Sequence, residues 1–178
     1  RPVAVHYGTS KVAAEDTVSE IKRAGGHAIA IAADLALEEQ VRELLPAAEA
    51  ELGPIECLIN NAAAFQRDSV ASATRASWDT HMETNLRAPF VLIQAVAERL
   101  PEGQTGNVIN ILDERVWNLT PHFVSYTLSK SALWTLTQTM ALALAPHIRV
   151  NGIGPGPTLP SPRQTEEQFA RQQTMMPL

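Results

Sequence analysis

With a single cysteine, Cys57, in 178 residues, the chain can hold neither an internal disulfide framework nor a multi-cysteine zinc site. Aromatic residues are scarce at 5%, and no apolar run approaches the ~18 residues of a membrane-spanning helix. The first residues form neither an apolar signal region nor a transit-peptide composition, so the expected location is cytoplasmic. Positive charge is also short: 14 Lys and Arg stand against 19 Asp and Glu, a formal net charge of −5. No basic stripe is available to displace counterions from phosphates, which argues against a nucleic-acid partner. The five histidines, His6, His27, His81, His122 and His147, show no metal-ligand spacing, and no metal is expected. What remains is an ordinary apolar content of 45%, enough for one core and cramped for two. No linker, repeat or low-complexity tract divides residues 1–178, which read as a single domain.

Five short β-branched segments alternate with stretches of helical periodicity, the pattern of a parallel α/β sheet. Strands are expected near Val3–Tyr7, His27–Ala32, Ile55–Asn60, Asn107–Leu112 and Ile148–Ile153. Helices are expected over Lys11–Ala24, stopped by Gly25-Gly26, and over Glu38–Glu51, where Pro46 must kink the helix or mark its first turn. Trp78–Leu100 and Pro121–Leu144 read as long helices, each with more apolar residues than a half-exposed helix needs. A partner subunit is the simple cover for them. Pro155–Pro162 reads as a loop and Thr165–Met175 as a short helix.

The first arrangement with chemical content is Tyr126-x-x-x-Lys130, because residues four apart share one helix face. An ammonium about 4 Å away, at an effective dielectric near 20, favours phenolate by roughly 4 kcal/mol before desolvation offsets part of it. A chance pairing of two residue types is the bland alternative. Asn60-Asn61-Ala62-Ala63 closes the third strand, at the end where parallel sheets bind ligands. Its amides pin strands, touch a ligand, or only mark a polar turn. Asn85 lies inside a long helix with Pro89 four residues later. Proline has no N–H to bond the carbonyl of residue i−4, so the Asn85 carbonyl needs another partner, such as an ordered water.

Taken together and in this order, Asn60-Asn61-Ala62-Ala63, Asn85, Tyr126-x-x-x-Lys130 and Pro155-Gly156 resemble the short-chain dehydrogenase/reductase family over nearly the whole chain. The resemblance implies a Rossmann-type, three-layer, doubly wound parallel sheet and a nicotinamide cofactor. It implies Tyr126 as proton donor, Lys130 on the nicotinamide ribose and lowering the tyrosine pKa, and Asn85 holding a relay water. It also places Asn61, Ala62, Ala63, Pro155, Gly156 and Thr158 along the dinucleotide. The family's first strand, glycine-rich loop and following helix are expected ahead of Arg1, and its last strand after Leu178. A chain without that loop is expected to bind NADPH poorly, since the pyrophosphate would lose its helix N-terminus.

Two departures narrow the resemblance. Thirteen residues before the tyrosine, where most members carry serine, this chain has Asp113. Aspartate there resembles the pteridine reductase branch, as does Phe65, placed where that branch stacks its pterin ring. The plain alternatives are a solvated turn at Asp113-Glu114-Arg115 and a lid residue at Phe65. Trp117 is retained as a candidate wall of the substrate pocket.

After the first strand, His6-Tyr7-Gly8-Thr9-Ser10-Lys11 offers no carboxylate for a ribose diol. Tyr7, Thr9 and Ser10 with a helix N-terminus suit the extra phosphate of NADP, with a simple N-cap as the competing explanation. Asp34 and Leu35 would lie at the adenine by family resemblance; otherwise Asp34 only starts a helix. Gly152-x-Gly154-x-Gly156 is discounted as a dinucleotide fingerprint because Pro155 and Pro157 prevent a helix from opening behind it. Cys57 is read as an inert strand residue.

The expected function is NADPH-dependent reduction of a pterin-like ring with Tyr126 and Asp113 as proton donors, by a homo-oligomer, dimer or tetramer, built through the two long helices. The alternatives are a short-chain reductase of a carbonyl or alcohol, and a non-catalytic nucleotide-binding relative.

Overall fold

The computed structural model describes residues 1–156, 158 and 165–174. In chain order the elements are β1 (Val3–Tyr7), α1 (Lys11–Arg23), β2 (Ala28–Ala32), α2 (Glu38–Leu52), β3 (Cys57–Asn60) and α3 (Arg75–Met82). A π-helical turn (Glu83–Arg87), α4 (Ala88–Arg99), β4 (Gly106–Ile111), α5 (Val124–Leu144), β5 (Ile148–Ile153) and α6 (Glu166–Thr174) follow. All five expected strands are present within two residues of their expected ends. Every strand pairing is parallel, as the Rossmann-type reading expects, and the described strands form two ladders. One is β1–β2 and the other β3–β4–β5 with β4 central. No described strand pairs with both β1 and β3.

Helices α2 and α4 hold the ladders together. Val41 and Leu44 of α2 form one core cluster with Ala33, Ala88, Val91 and Leu92, and both Ile31 of β2 and Leu58 of β3 pack against it. A second cluster joins Leu45, Ile93 and Val96 to Val108 of β4 and Ile148 and Val150 of β5. The alternation of β4, with Gly106, Val108 and Asn110 buried and their neighbours half-buried, is the period-2 signature of a strand with one face in the core. Burying that face is the main source of stability here.

Boundary differences have local causes. Gly25 adopts φ 82°, a left-handed conformation costly for residues with a Cβ, and ends α1 near the expected point. Helix α2 begins eight residues before Pro46 and runs through it, so Pro46 does not mark a first turn. Helix α5 starts at Val124, three residues later than expected, because Phe123 is in the left-handed region at φ 59°, ψ 43°. The short helix Glu166–Thr174 is found where one was expected; Met175 and much of Pro155–Pro162 lie outside the described residues.

Gly152 and Gly154 serve packing. A Cβ at Gly152 would come within 2.8 Å of Leu112 Cδ1, and one at Gly154 within 3.0 Å of Trp117 Cζ3. Cys57 lies in β3 and is exposed. Among the described residues no three His, Cys, Asp or Glu side chains are placed to hold a metal ion, and no helix is long and apolar enough to cross a membrane.

Candidate active site

The C-terminal ends of β3 and β4 and the first turns of α5 converge on Tyr126. Helix α5 turns one face inward, burying Ser125, Tyr126, Ser129, Lys130, Leu133 and Thr137 at the spacing of one helical stripe. Tyr126 and Lys130, four apart, lie together on that face and are 5% and 1% exposed.

The Tyr126 hydroxyl donates to Asp113 Oδ2 at 2.8 Å. Asp113 follows β4 and opens a short 3-10 turn, Glu114–Val116. Its Oδ1 accepts the Arg115 N–H at 2.8 Å, and the Arg115 guanidinium reaches both carboxylate oxygens at 3.2 Å. Asp113-Glu114-Arg115 is therefore not a solvated turn: the Asp113 and Arg115 side chains are only 17% and 23% exposed.

Lys130 Nζ donates to the Ile111 carbonyl at 2.7 Å and lies 6.0 Å from the Tyr126 ring centroid. Burial pushes the Lys130 ammonium down from 10.5 to about 8, with Asp113 opposing part of that shift. The Tyr126 phenol moves the other way. Burial is the main cause raising its pKa, and the charge and hydrogen bond of Asp113 raise it further. This corrects the expectation that lysine draws the phenol toward neutrality. The Asp113 carboxylate touches the phenol oxygen, whereas the ammonium is engaged by a backbone carbonyl on β4.

Asn85 sits in the π turn, where the Ala88 N–H bonds the Glu83 carbonyl five residues back. Pro89 explains the irregularity: it cannot donate to the Asn85 carbonyl, and the α ladder gives way locally. The side chain, which the sequence reading left without a task, is fully engaged. Its Oδ1 accepts from Ala64 N at 2.8 Å, and its Nδ2 donates to Ala64 O and Ser129 Oγ, both at 3.0 Å. It thus clamps the Asn61–Ala64 segment to α5. Asn85→Ala leaves these partners unsatisfied and is expected to cost about 2 kcal/mol. Urea unfolding would show a lower midpoint at unchanged slope; a change under about 0.5 kcal/mol would contradict the clamp.

Asn60 pins strands. It donates to Asn110 Oδ1 on β4 at 2.8 Å, and Asn110 donates to Thr137 Oγ1 of α5 at 2.9 Å. Asn61, Ala62 and Ala63 follow on an exposed segment.

Phe65 is not isolated. Its ring stacks on Phe123 with centroids 4.7 Å apart and 4° between planes, and meets Tyr126 edge-on at 4.7 Å. The Arg115 guanidinium lies 5.4 Å from the Phe65 centroid and 5.1 Å from that of Phe123. Trp117 packs edge-on to Trp134 at 5.7 Å, by Gly154 at the exit of β5.

At the other candidate region, Ser10 occupies the N-cap of α1 without a side-chain cap bond, and Thr9 and Ser10 are exposed. The plain N-cap explanation is therefore not met. Tyr7 is half-buried at the end of β1. Asp34 Oδ1 accepts from Ala36 N at 2.9 Å in a local turn ahead of α2, and Leu35 packs against the first core cluster. Pro155 and Gly156 lie exposed beyond β5, where Thr158 donates to the Gly156 carbonyl at 3.0 Å.

The sequence reading missed Arg115, Phe123, Ser129, His81, Asp68 and Ser125. Ser125, adjoining Tyr126, was the one available pointer. Arg115 bonds Asp113 two residues away, while His81 and Asp68 meet Ser125 across 44 and 57 residues of sequence.

Parallel strands wrapped by helices, with a buried tyrosine and lysine and a half-buried carboxylate gathered near the strand ends, define a Rossmann-type domain. The chain belongs to the short-chain dehydrogenase family, whose family model matches residues 2–171. Among solved structures it resembles FolM alternative dihydrofolate reductase 1 of Brucella suis in complex with NADP. Identity is 50%, with a TM-score of 0.94, over 99% of this chain and 71% of that one. A 3-oxoacyl-[acyl-carrier-protein] reductase of Staphylococcus epidermidis is 32% identical over 86% of this chain and 64% of its own length. An uncharacterized oxidoreductase of Methylorubrum extorquens is 34% identical over 86% of this chain and 62% of its own. The chain thus spans a little under two thirds of the curated relatives.

Proposed function

We propose that the protein is an NADPH-dependent oxidoreductase that reduces a pterin-like, flat heteroaromatic ring. The observation that carries this reading is the partly buried Tyr126–Asp113 hydrogen bond, set directly beside the Phe65 ring. A phenol bonded to a carboxylate offers a proton to a ring nitrogen, and an aromatic neighbour suits a flat ring better than a flexible acyl chain. The complex of the Brucella suis FolM protein with NADP supports the cofactor and the substrate class.

The residues present fit such a cofactor. Lys130, buried with a depressed pKa, is an ammonium short of acceptors, and ribose hydroxyls would supply them. Exposed Thr9 and Ser10 at the open end of α1, with Tyr7, would face the extra phosphate. Asp34 and Leu35 would border the adenine, while Asn61, Ala62, Ala63, Pro155, Gly156 and Thr158 would border the rest. Bound NADPH supplies the hydride.

The chain's own groups handle the proton. Because burial and Asp113 hold the phenol proton on Tyr126, the pair meets substrate with one proton and one negative charge. Donating that proton would leave two negative charges, with Arg115 and Lys130 the cations nearest to offset them. Phe65 would hold the ring, the Asn85 carbonyl a relay water, and Trp117 one wall of the pocket.

Exposed apolar side chains on α5, Leu128 at 45% and Leu142 at 83%, and Trp78 at 38% on α3 support a homo-oligomer through the two long helical segments. A cytoplasmic location completes the reading. A substrate panel tests it: NADPH oxidation is expected with dihydrobiopterin or dihydrofolate and not with ketones. Turnover of ketones without pterins would select a carbonyl reductase, and tight NADPH binding with no turnover a non-catalytic relative.

A further inference from the structure

Behind Tyr126 lies a buried polar chain that the proton-donor reading does not use. His81 on α3 is fully buried, with Nε2 3.0 Å from the Gln66 N–H and Nδ1 2.6 Å from Ser125 Oγ. An amide N–H can only donate, so Nε2 carries the lone pair and Nδ1 the proton. Nδ1–H then donates to Ser125 Oγ, and the Ser125 hydroxyl donates to Asp68 Oδ2. The Asp68 carboxylate also accepts from Ser125 N at 3.3 and 3.4 Å, and its backbone carbonyl accepts from Phe123 N at 2.8 Å. Asp68 is 3% exposed. The direction of every bond is thereby fixed, from the Gln66 amide to a single buried carboxylate.

The chain joins both halves of the proposed site. Gln66 and Asp68 follow Phe65 on the same loop, while Ser125 precedes Tyr126 on α5. The His81 ring meets Tyr126 edge-on at 5.9 Å. Between them Phe123 is held at φ 59°, a conformation rare for a bulky residue, which persists only where its surroundings impose it. Here the impositions are the Asp68 carbonyl on its N–H and the Phe65 ring stacked on its own.

We propose that His81, Ser125 and Asp68 are positioning residues that lock the Phe65 loop to the start of α5, so that the ring platform and the Tyr126 proton donor are set as one unit. The inference rests on the reading of Tyr126 as proton donor and Phe65 as ring holder. The Gln66 N–H on Nε2 sets the tautomer of the imidazole, and burial lowers the His81 pKa against the opposing charge of Asp68. His81, Ser125 and Asp68 are each buried and joined by directed hydrogen bonds. Loss of one member frees the loop without touching the Tyr126–Asp113 bond.

The test uses Ser125→Ala, Asp68→Asn and the conservative Ser125→Thr in the whole protein, with two readouts. Amide hydrogen exchange at Gln66, Phe123 and Ser125 is expected to accelerate about tenfold or more in Ser125→Ala and Asp68→Asn, with Val108 and Asn110 of β4 unchanged. Ser125→Thr should stay close to wild type. With NADPH and dihydrobiopterin, kcat is expected to fall about 10- to 100-fold at unchanged NADPH affinity, and Ser125→Thr to restore it. Unchanged exchange at the three amides overturns the lock. Accelerated exchange with unchanged kcat, while Tyr126→Phe abolishes turnover, overturns its catalytic consequence. Turnover surviving Tyr126→Phe overturns the proton-donor reading instead, and the exchange result then judges the lock alone.

Discussion

Tyr126→Phe is expected to slow NADPH-dependent reduction by about 10²- to 10⁴-fold, the usual contribution of a placed general acid. The substitution removes one oxygen, and the hydroxyl's described partner is Asp113. The ring keeps its edge contact with Phe65 and the packing of α5. Cofactor affinity, followed by NADPH fluorescence titration, should therefore be unchanged while kcat collapses. Equal losses in affinity and rate would point to a packing role, and a retained rate would remove the phenol from the chemistry.

Lys130→Met carries the second large effect, with opposite consequences for turnover and stability. The wild-type ammonium is buried against the Ile111 carbonyl. Its removal is expected to lower turnover about 100-fold or more, through loss of a positioning and charge-balancing group. The stability effect follows from linkage. The folded-state pKa is lowered from 10.5 to about 8. Below about pH 8 the lysine is charged in both states, and the folded state carries the full desolvation penalty. Between about 8 and 10.5 the folded protein gives up its proton while the unfolded chain keeps it, so wild-type stability rises with pH. Lys130→Met lacks that dependence. Its stability relative to wild type should fall by up to about 3 kcal/mol as pH goes from 7 to 10.5, measured by urea unfolding at each pH. A difference that stays flat across that range would contradict the buried charge.

Much of the scaffold was legible because strands and helices follow local periodicity. The runs at Val3–Tyr7 and Ile148–Ile153 alternate or branch as strands do, and Gly25 punctuates α1 by its positive φ. Residues of one face were readable for the same reason: Tyr126 and Lys130 are four apart on a helix, and Pro89 signals an irregular turn at Asn85. The parallel α/β character was legible, whereas the order β3–β4–β5 was not, because local periodicity does not say which strand lies beside which.

The direction of the Tyr126 pKa shift escaped as well. A spacing of four says that two side chains are neighbours; it does not say that the lysine turns to Ile111 or that Asp113 reaches the phenol first. Arg115 looked like part of a charged turn and is instead half-enclosed by two phenylalanine rings, one of them, Phe123, in a conformation no propensity scale would assign. His81, read as a histidine without metal spacing, is a fixed link in a buried chain whose serine, Ser125, lies 44 residues from His81 and 57 from Asp68 along the sequence. Long-range hydrogen bonds leave no periodic trace, and these are the bonds that join the ring platform to the proton donor.

The central claim is that Tyr126, Asp113 and Phe65 act together on a flat heteroaromatic ring. A crystal structure of the protein with NADPH and a dihydropteridine analogue tests it most directly. The account predicts the analogue's ring stacked against Phe65 at about 3.5–4 Å, with a ring nitrogen in hydrogen-bond reach of Asp113 or Tyr126. An analogue bound in contact with neither Phe65 nor Asp113 would contradict it.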